Sequence, residues 1–166
     1  MKLAFLSLLF SGVAFFASPL QAMEAPTGRV ILTVKGNVEN TNSEGAAKFD
    51  LAMLEALAGR SATMETPWTE GEVTFSGPYL RSILEAAGAS GHKLIVRALN
   101  DYAADVPFED GKLDVIMATR KNGSEMPVRD KGPLFLVYPF DLDKSLYSEK
   151  IFARSVWQIK EIEVVE

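Results

Sequence analysis

Between Leu94 and Pro107 the chain reads LIVRALNDYAADVP, two apolar runs hinged on Asn100, Asp101 and Tyr102. Alternation on either side of a corner made of turn-forming residues predicts strand, turn, strand, and so commits the chain to a sheet. The corner side chains are also able to grip a ligand. The elements before this stretch are expected to build a sheet and a helix beneath the corner, and those after it to return further strands and a second polar loop beside it.

The first residues have a different character. Lys2 precedes an apolar run from Leu3 to Phe16, then Ser18, Pro19 and Leu20-Gln21-Ala22. A charge, an apolar core shorter than a membrane span and a small residue at the end predict a signal peptide over residues 1–22, cut after Ala22. Met23 would then begin the mature, periplasmic protein, a single domain over residues 23–166. Lys2 is the only charge removed, so the formal net charge of −5 becomes one unit more negative. An acidic domain without a basic run has no electrostatic footprint for nucleic acid or anionic lipid, and neither is expected as a partner.

The chain has no cysteine, so its core rather than disulfides must hold it, and thiolate chemistry is closed to it. The single histidine, His92, lies in the turn Gly91-His92-Lys93 and cannot make a histidine-rich metal site.

In order, Arg29–Lys35 reads as a strand, Asn37–Ala46 as loop, and Asp50 as the cap of a helix over Leu51–Ala58. Ser61–Pro67 and Glu72–Phe75 read as strands joined through Trp68, itself read as core. Gly77-Pro78 opens the clearest helix, with Leu80, Ile83, Leu84 and Ala87 on one face, Gly88 as terminator and Arg81 and Glu85 outward. Phe108–Lys112 reads as a polar crossing and Leu113–Thr119 as a buried strand. Asn122-Gly123 then predicts a hairpin to Met126–Val128, placing Arg120 and Lys121 at its mouth, either as solubilising charges or as ligand contacts. The loop Arg129-Asp130-Lys131-Gly132-Pro133 offers cations and a glycine to an anionic ligand, or is simply solvated. Leu134–Tyr138 reads as a buried strand and Asp141–Lys150 as the least ordered stretch. Val156–Val164 closes the chain as a strand with a bulge near Lys160 or Glu161, because Trp157 and Ile159 differ in parity from Ile162 and Val164.

Taken as a series, Phe49-Asp50-Leu51, Phe75-Ser76-Gly77-Pro78, Asn100-Asp101-Tyr102, Met117 to Arg120, Asn122-Gly123, Arg129 to Pro133, Val137 to Pro139 and Val156-Trp157 resemble the molybdopterin-binding domain of the sulfite oxidase family, in its short, exported, single-domain bacterial form. The resemblance implies an α+β fold of mixed β-sheets with a few short helices. It implies loops around a pterin pocket at Asn100 to Tyr102, Arg120 to Gly123 and Arg129 to Gly132. Ligand-binding candidates are therefore Asn100, Asp101, Tyr102, Arg120, Lys121, Arg129 and Lys131. The family's enzymes hold molybdenum through one cysteine, expected near Glu65 or Thr66, and carry an arginine where this chain has Leu134-Phe135. A hydroxyl does not replace a soft thiolate. The expectation is an exported, non-catalytic relative with no cofactor, binding a small anionic or pterin-like ligand or a periplasmic protein. A molybdopterin oxidoreductase with atypical metal ligation is the alternative, and a structural or assembly protein is the third possibility.

Overall fold

The computed structural model describes residues 23–166, so the predicted leader lies outside the described residues. The elements run β1 (Val30–Gly36), β2 (Ala46–Asp50), α1 (Leu51–Ala56), β3 (Gly59–Met64), β4 (Val73–Pro78), α2 (Leu80–Ala86), β5 (Lys93–Ala98), β6 (Ala103–Pro107), β7 (Ile116–Ala118), β8 (Arg120–Lys121), β9 (Ser124–Glu125), β10 (Phe135–Val137), α3 (Glu149–Phe152) and β11 (Ile159–Val165). They form a sheet in the order β2-β1-β11-β5-β6, a second in the order β3-β4-β8-β9, and a pair β10-β7. Only β1 and β11 run parallel; the other pairs are antiparallel. This is the α+β arrangement of mixed sheets and short helices that the sequence implies.

Alternation explains the large sheet. Leu94, Val96 and Ala98 of β5 point into the core, as do Leu32 and Val34 of β1. On β11 the buried residues are Ile159, Ile162 and Val164, a step of three and then of two. The odd step falls at a register shift between Ile159 and Glu161 against β5, which is the expected bulge. It lets Trp157 leave the sheet while Ile162 still enters the core.

Helix α2 covers this core with Leu80, Ile83, Leu84 and Ala87, all buried, and Gly88 ends it at φ +59°. Pro78 is not its first residue. It belongs to β4, opposite Gly59, and Tyr79 caps the helix. The reason is local: a Cβ on Gly77 would lie 2.1 Å from the Met117 carbonyl oxygen, so this Gly-Pro serves a close strand crossing. Arg81 does not form a solvent pair with Glu85 either. Its Nη1 donates to Asp114 at 2.8 Å and its guanidinium lies 3.8 Å over the Tyr79 ring, fastening α2 to the approach to β7.

Three further boundaries differ from expectation. Helix α1 stops at Ala56, although Asp50 caps it as predicted, accepting from Met53 N at 2.9 Å. The same carboxylate accepts from Thr27 N and Gly28 N, which ties down the lead-in. Strand β2 falls partly in the predicted loop, and the Asn42 amide both donates to and accepts from the Lys48 backbone at 2.8 Å. The stretch 141–150 is folded rather than loose. Asp141 binds Arg60 at 2.6 Å, Asp143 caps a 3₁₀ turn at Lys144–Leu146, and Phe140, Tyr147 and Phe152 pack edge to face. Among the described residues no helix is long and apolar enough to cross a membrane.

Leu84→Ala is expected to cost about 2–5 kcal/mol, since the side chain is buried mid-stripe and its loss leaves a cavity. A urea midpoint equal to that of the unmodified protein would show that α2 does not seal the core.

Candidate functional site

The β5–β6 corner is a tight turn. Ala98 N donates to Tyr102 O at 2.8 Å and Asp101 N to Ala98 O at 3.1 Å. Asp101 takes φ +66°, a region that aspartate tolerates better than most residues. Asn100 Oδ1 accepts from Tyr102 N at 3.1 Å, fixing the corner from within. Asp101 points away to Lys160, whose ammonium donates at 2.6 Å and holds the carboxyl below the usual carboxylate range.

Asn100 and Tyr102 line a recess of about 350 Å³ together with Ala98, Phe152, Trp157 and Gln158. Gln158 builds it. At φ +54°, its N donates to Lys131 O at 3.0 Å, its O accepts from Leu99 N at 2.8 Å and its Nε2 donates to Val128 O at 2.7 Å. One residue therefore pins the corner and the Arg129–Lys131 loop to the entry of β11. Lys131 Nζ lies 5.6 Å from the Trp157 ring centre, and Arg129 is exposed. Tyr102 and Trp157 are 53% and 38% exposed, large for aromatic residues and both at this recess.

The hairpin cations lie elsewhere. Asn122 and Gly123 take φ +50° and +80°, giving the predicted turn between β8 and β9, but β8 pairs with β4 rather than facing the corner. Arg120 donates to both oxygens of Glu55, at 2.7 and 3.0 Å, and borders a separate cavity with Arg60, Gly77 and Thr119. Lys121 binds Asp130 at 3.0 Å. Carboxylates neutralise both hairpin cations, and the pocket loops implied by the resemblance do not bring Arg120 and Lys121 to the corner. Of the seven candidates, Asn100 and Tyr102 share the recess, Lys131 adjoins it, Arg129 is exposed, and Asp101, Arg120 and Lys121 are engaged in ion pairs.

Phe152, Trp157 and Gln158 form a wall that the sequence does not announce: their one signal is the break of parity after Trp157, and a parity break in a strand predicts a bulge rather than a recess.

Of the two residues near which the resemblance implies a metal thiolate, Glu65 is exposed and Thr66 is 3% exposed. Its hydroxyl lies 3.1 Å from Thr69 Oγ1 and accepts from Trp68 N at 3.3 Å, so it is consumed within its own turn. Beside it Trp68 meets Phe135, Phe152 and Trp157 edge to face at 5.6, 5.7 and 5.7 Å between ring centres. Phe135 also meets Phe75 at 5.6 Å and Trp157 at 6.2 Å. The Trp68 ring, two residues after Thr66, thus packs directly on Phe135 of the strand where the resemblance implies an arginine.

The model of the family described as "Oxidoreductase molybdopterin binding domain" matches residues 20–166. The chain belongs to this family. Among solved structures it is similar to the sulfane dehydrogenase SoxCD from Paracoccus pantotrophus, with a TM-score of 0.59 and 19% identity, over 81% of this chain and 37% of that one. The chain thus spans well under half the length of that protein, and the likeness is one of fold. No curated protein matches the chain.

The donor chemistry of this family member does not suit the family's metal. Molybdenum held by a soft thiolate has no counterpart in a hard, internally hydrogen-bonded threonine hydroxyl. Nor is a ring of oxygen or imidazole donors available, since no group of three or more His, Cys, Asp or Glu side chains among the described residues is placed to hold a metal ion.

Arg120 donates to Glu55 and, with Thr119, holds that carboxyl below the usual glutamate range. A depressed folded-state value gives stability that is present above the ordinary glutamate range and lost as pH falls through the depressed one. Glu55→Gln is therefore expected to flatten the acid limb of the stability profile, read as melting temperature against pH. An unchanged acid limb would mean that the pair contributes nothing there.

Proposed function

We propose that this is an exported member of the family that does not work as a molybdenum enzyme, and that it serves as a binding protein through the recess at the Asn100–Tyr102 corner. The observation carrying this reading is the turn at Thr66. The Thr66 hydroxyl, in the Glu65-Thr66 stretch where the resemblance implies the thiolate, is buried and accepts from Trp68 N, and the Trp68 ring packs on Phe135 and Trp157. Opening that ground would expose large aromatic area to water and break several edge-to-face contacts, each of which adds to the burial of the rings. The recess beside it is different in kind. It is concave, open, mostly apolar and carries a few oriented polar groups, the usual composition of a small-molecule site.

The leader pattern of residues 1–22 supports export, and the periplasm is the compartment this reading assigns. A cysteine-free domain with an extensive core suits that compartment, because its stability does not depend on the redox environment.

Protein secreted by its own host, with molybdopterin synthesis intact, is expected to begin at Met23 by intact mass and to contain far less than one molybdenum per chain by elemental analysis. Stoichiometric molybdenum would favour an enzyme with atypical ligation, and a mass retaining residues 1–22 would refute processing.

A further inference from the structure

The recess specifies more than a binding role. Resting on the binding-protein reading, we infer that it takes an uncharged planar heterocycle bearing a lactam edge, an N–H next to a ring C=O. Tyr102, Phe152 and Trp157 supply aromatic surface and Ala98 leaves room beside them, within about 350 Å³, enough for one or two fused rings. Aromatic walls favour a flat ligand through stacking and edge-to-face contact.

Two amides among the wall residues are fixed by bonds within the chain, each at one end only. Asn100 Oδ1 is taken by Tyr102 N, which leaves the N–H₂ of this lining residue as a donor. Gln158 Nε2 is taken by Val128 O, which leaves its Oε1 to accept. One donor and one acceptor, each held by a backbone partner, match a lactam carbonyl and its N–H with little ordering cost. Charge is disfavoured. No ionised side chain lines the recess, Asp101 is engaged by Lys160, and the Lys131 ammonium adjoins the recess only at 5.6 Å from the Trp157 ring centre, so a charged ligand would meet no ionised group among the lining residues. A small oxyanion is thus the wrong occupant, as is a ligand whose grip depends on a phosphate.

The protein carries its own reporter. It has two tryptophans, and Trp157 lines the recess while Trp68 sits behind it in the ring cluster. Titration of the mature exported protein with uracil, excited at the red edge of tryptophan absorption, is expected to give a saturable change in emission. Orotate, which adds a carboxylate to the same ring, and 1,3-dimethyluracil, which lacks the N–H, should each bind at least tenfold more weakly. Asn100→Asp keeps the acceptor that caps Tyr102 N but removes the donor. It should lose at least tenfold in uracil affinity with an unchanged melting temperature. Trp157→Phe should abolish the emission change while Trp68 still reports a folded core. Orotate or dimethyluracil binding as well as uracil, or no saturable response to uracil or the bicyclic lactam lumazine at neutral charge, would overturn the inference. Failure here with no molybdenum in the exported protein discards the ligand class alone, whereas stoichiometric molybdenum discards the reading beneath it.

Discussion

Phe135 stands where the three sheets meet. Its ring packs edge to face on Phe75 of β4, on Trp68 after β3, and on Trp157 at the entry to β11, while its backbone pairs with Ala118 of β7. It is fully buried and uncharged. An arginine at the same point would need a buried anion, and the aromatic neighbours supply none, so the fold around it is consistent only with an apolar side chain. The choice made at this position therefore fixes both the packing of the sheets and what the region beside Thr66 can hold.

The second constraint is the backbone of Gln158. Its left-handed conformation and its hydrogen bonds to Lys131, Leu99 and Val128 gather three segments that are distant in sequence. Neighbouring Arg154 binds the buried Asp110, which also accepts from the Tyr138 hydroxyl at 2.6 Å. Burial and the adjacent carboxylate keep that phenol protonated well above its ordinary range. The recess wall thus hangs between a buried polar network on one side and an aromatic cluster on the other, which suits a preformed site.

Much of this was legible. The corner at Asn100–Tyr102, the apolar stripe of α2, the Asp50 cap, the Asn122-Gly123 hairpin and the β11 bulge each follow from local rules acting on few residues. The misses have a common cause. Gly77-Pro78 looked like a helix start because the close approach of Met117, which makes it strand, is a tertiary fact. The stretch 141–150 looked loose because its order comes from Phe140, Tyr147 and Phe152 packing across turns rather than from propensity. The cations lie in loops that the resemblance sets around a pocket, and only the folded chain shows that Arg120 answers to Glu55 and Lys121 to Asp130. The missing thiolate was readable as an absence, but what replaces it, a closed threonine turn backed by rings, was not.

This member of the family has the fold and no cysteine. Trp68 N donates to the Thr66 hydroxyl and the Trp68 ring packs on Phe135, whereas Trp157 faces the recess, so the nitrogen–proton NMR signal of the Trp68 indole reports on whether anything enters the ground beside Thr66. Protein exported from a host able to make molybdopterin and from one unable to make it should show the same Trp68 indole position. A second Trp68 position confined to the competent host would contradict the claim that aromatic packing has closed the metal site.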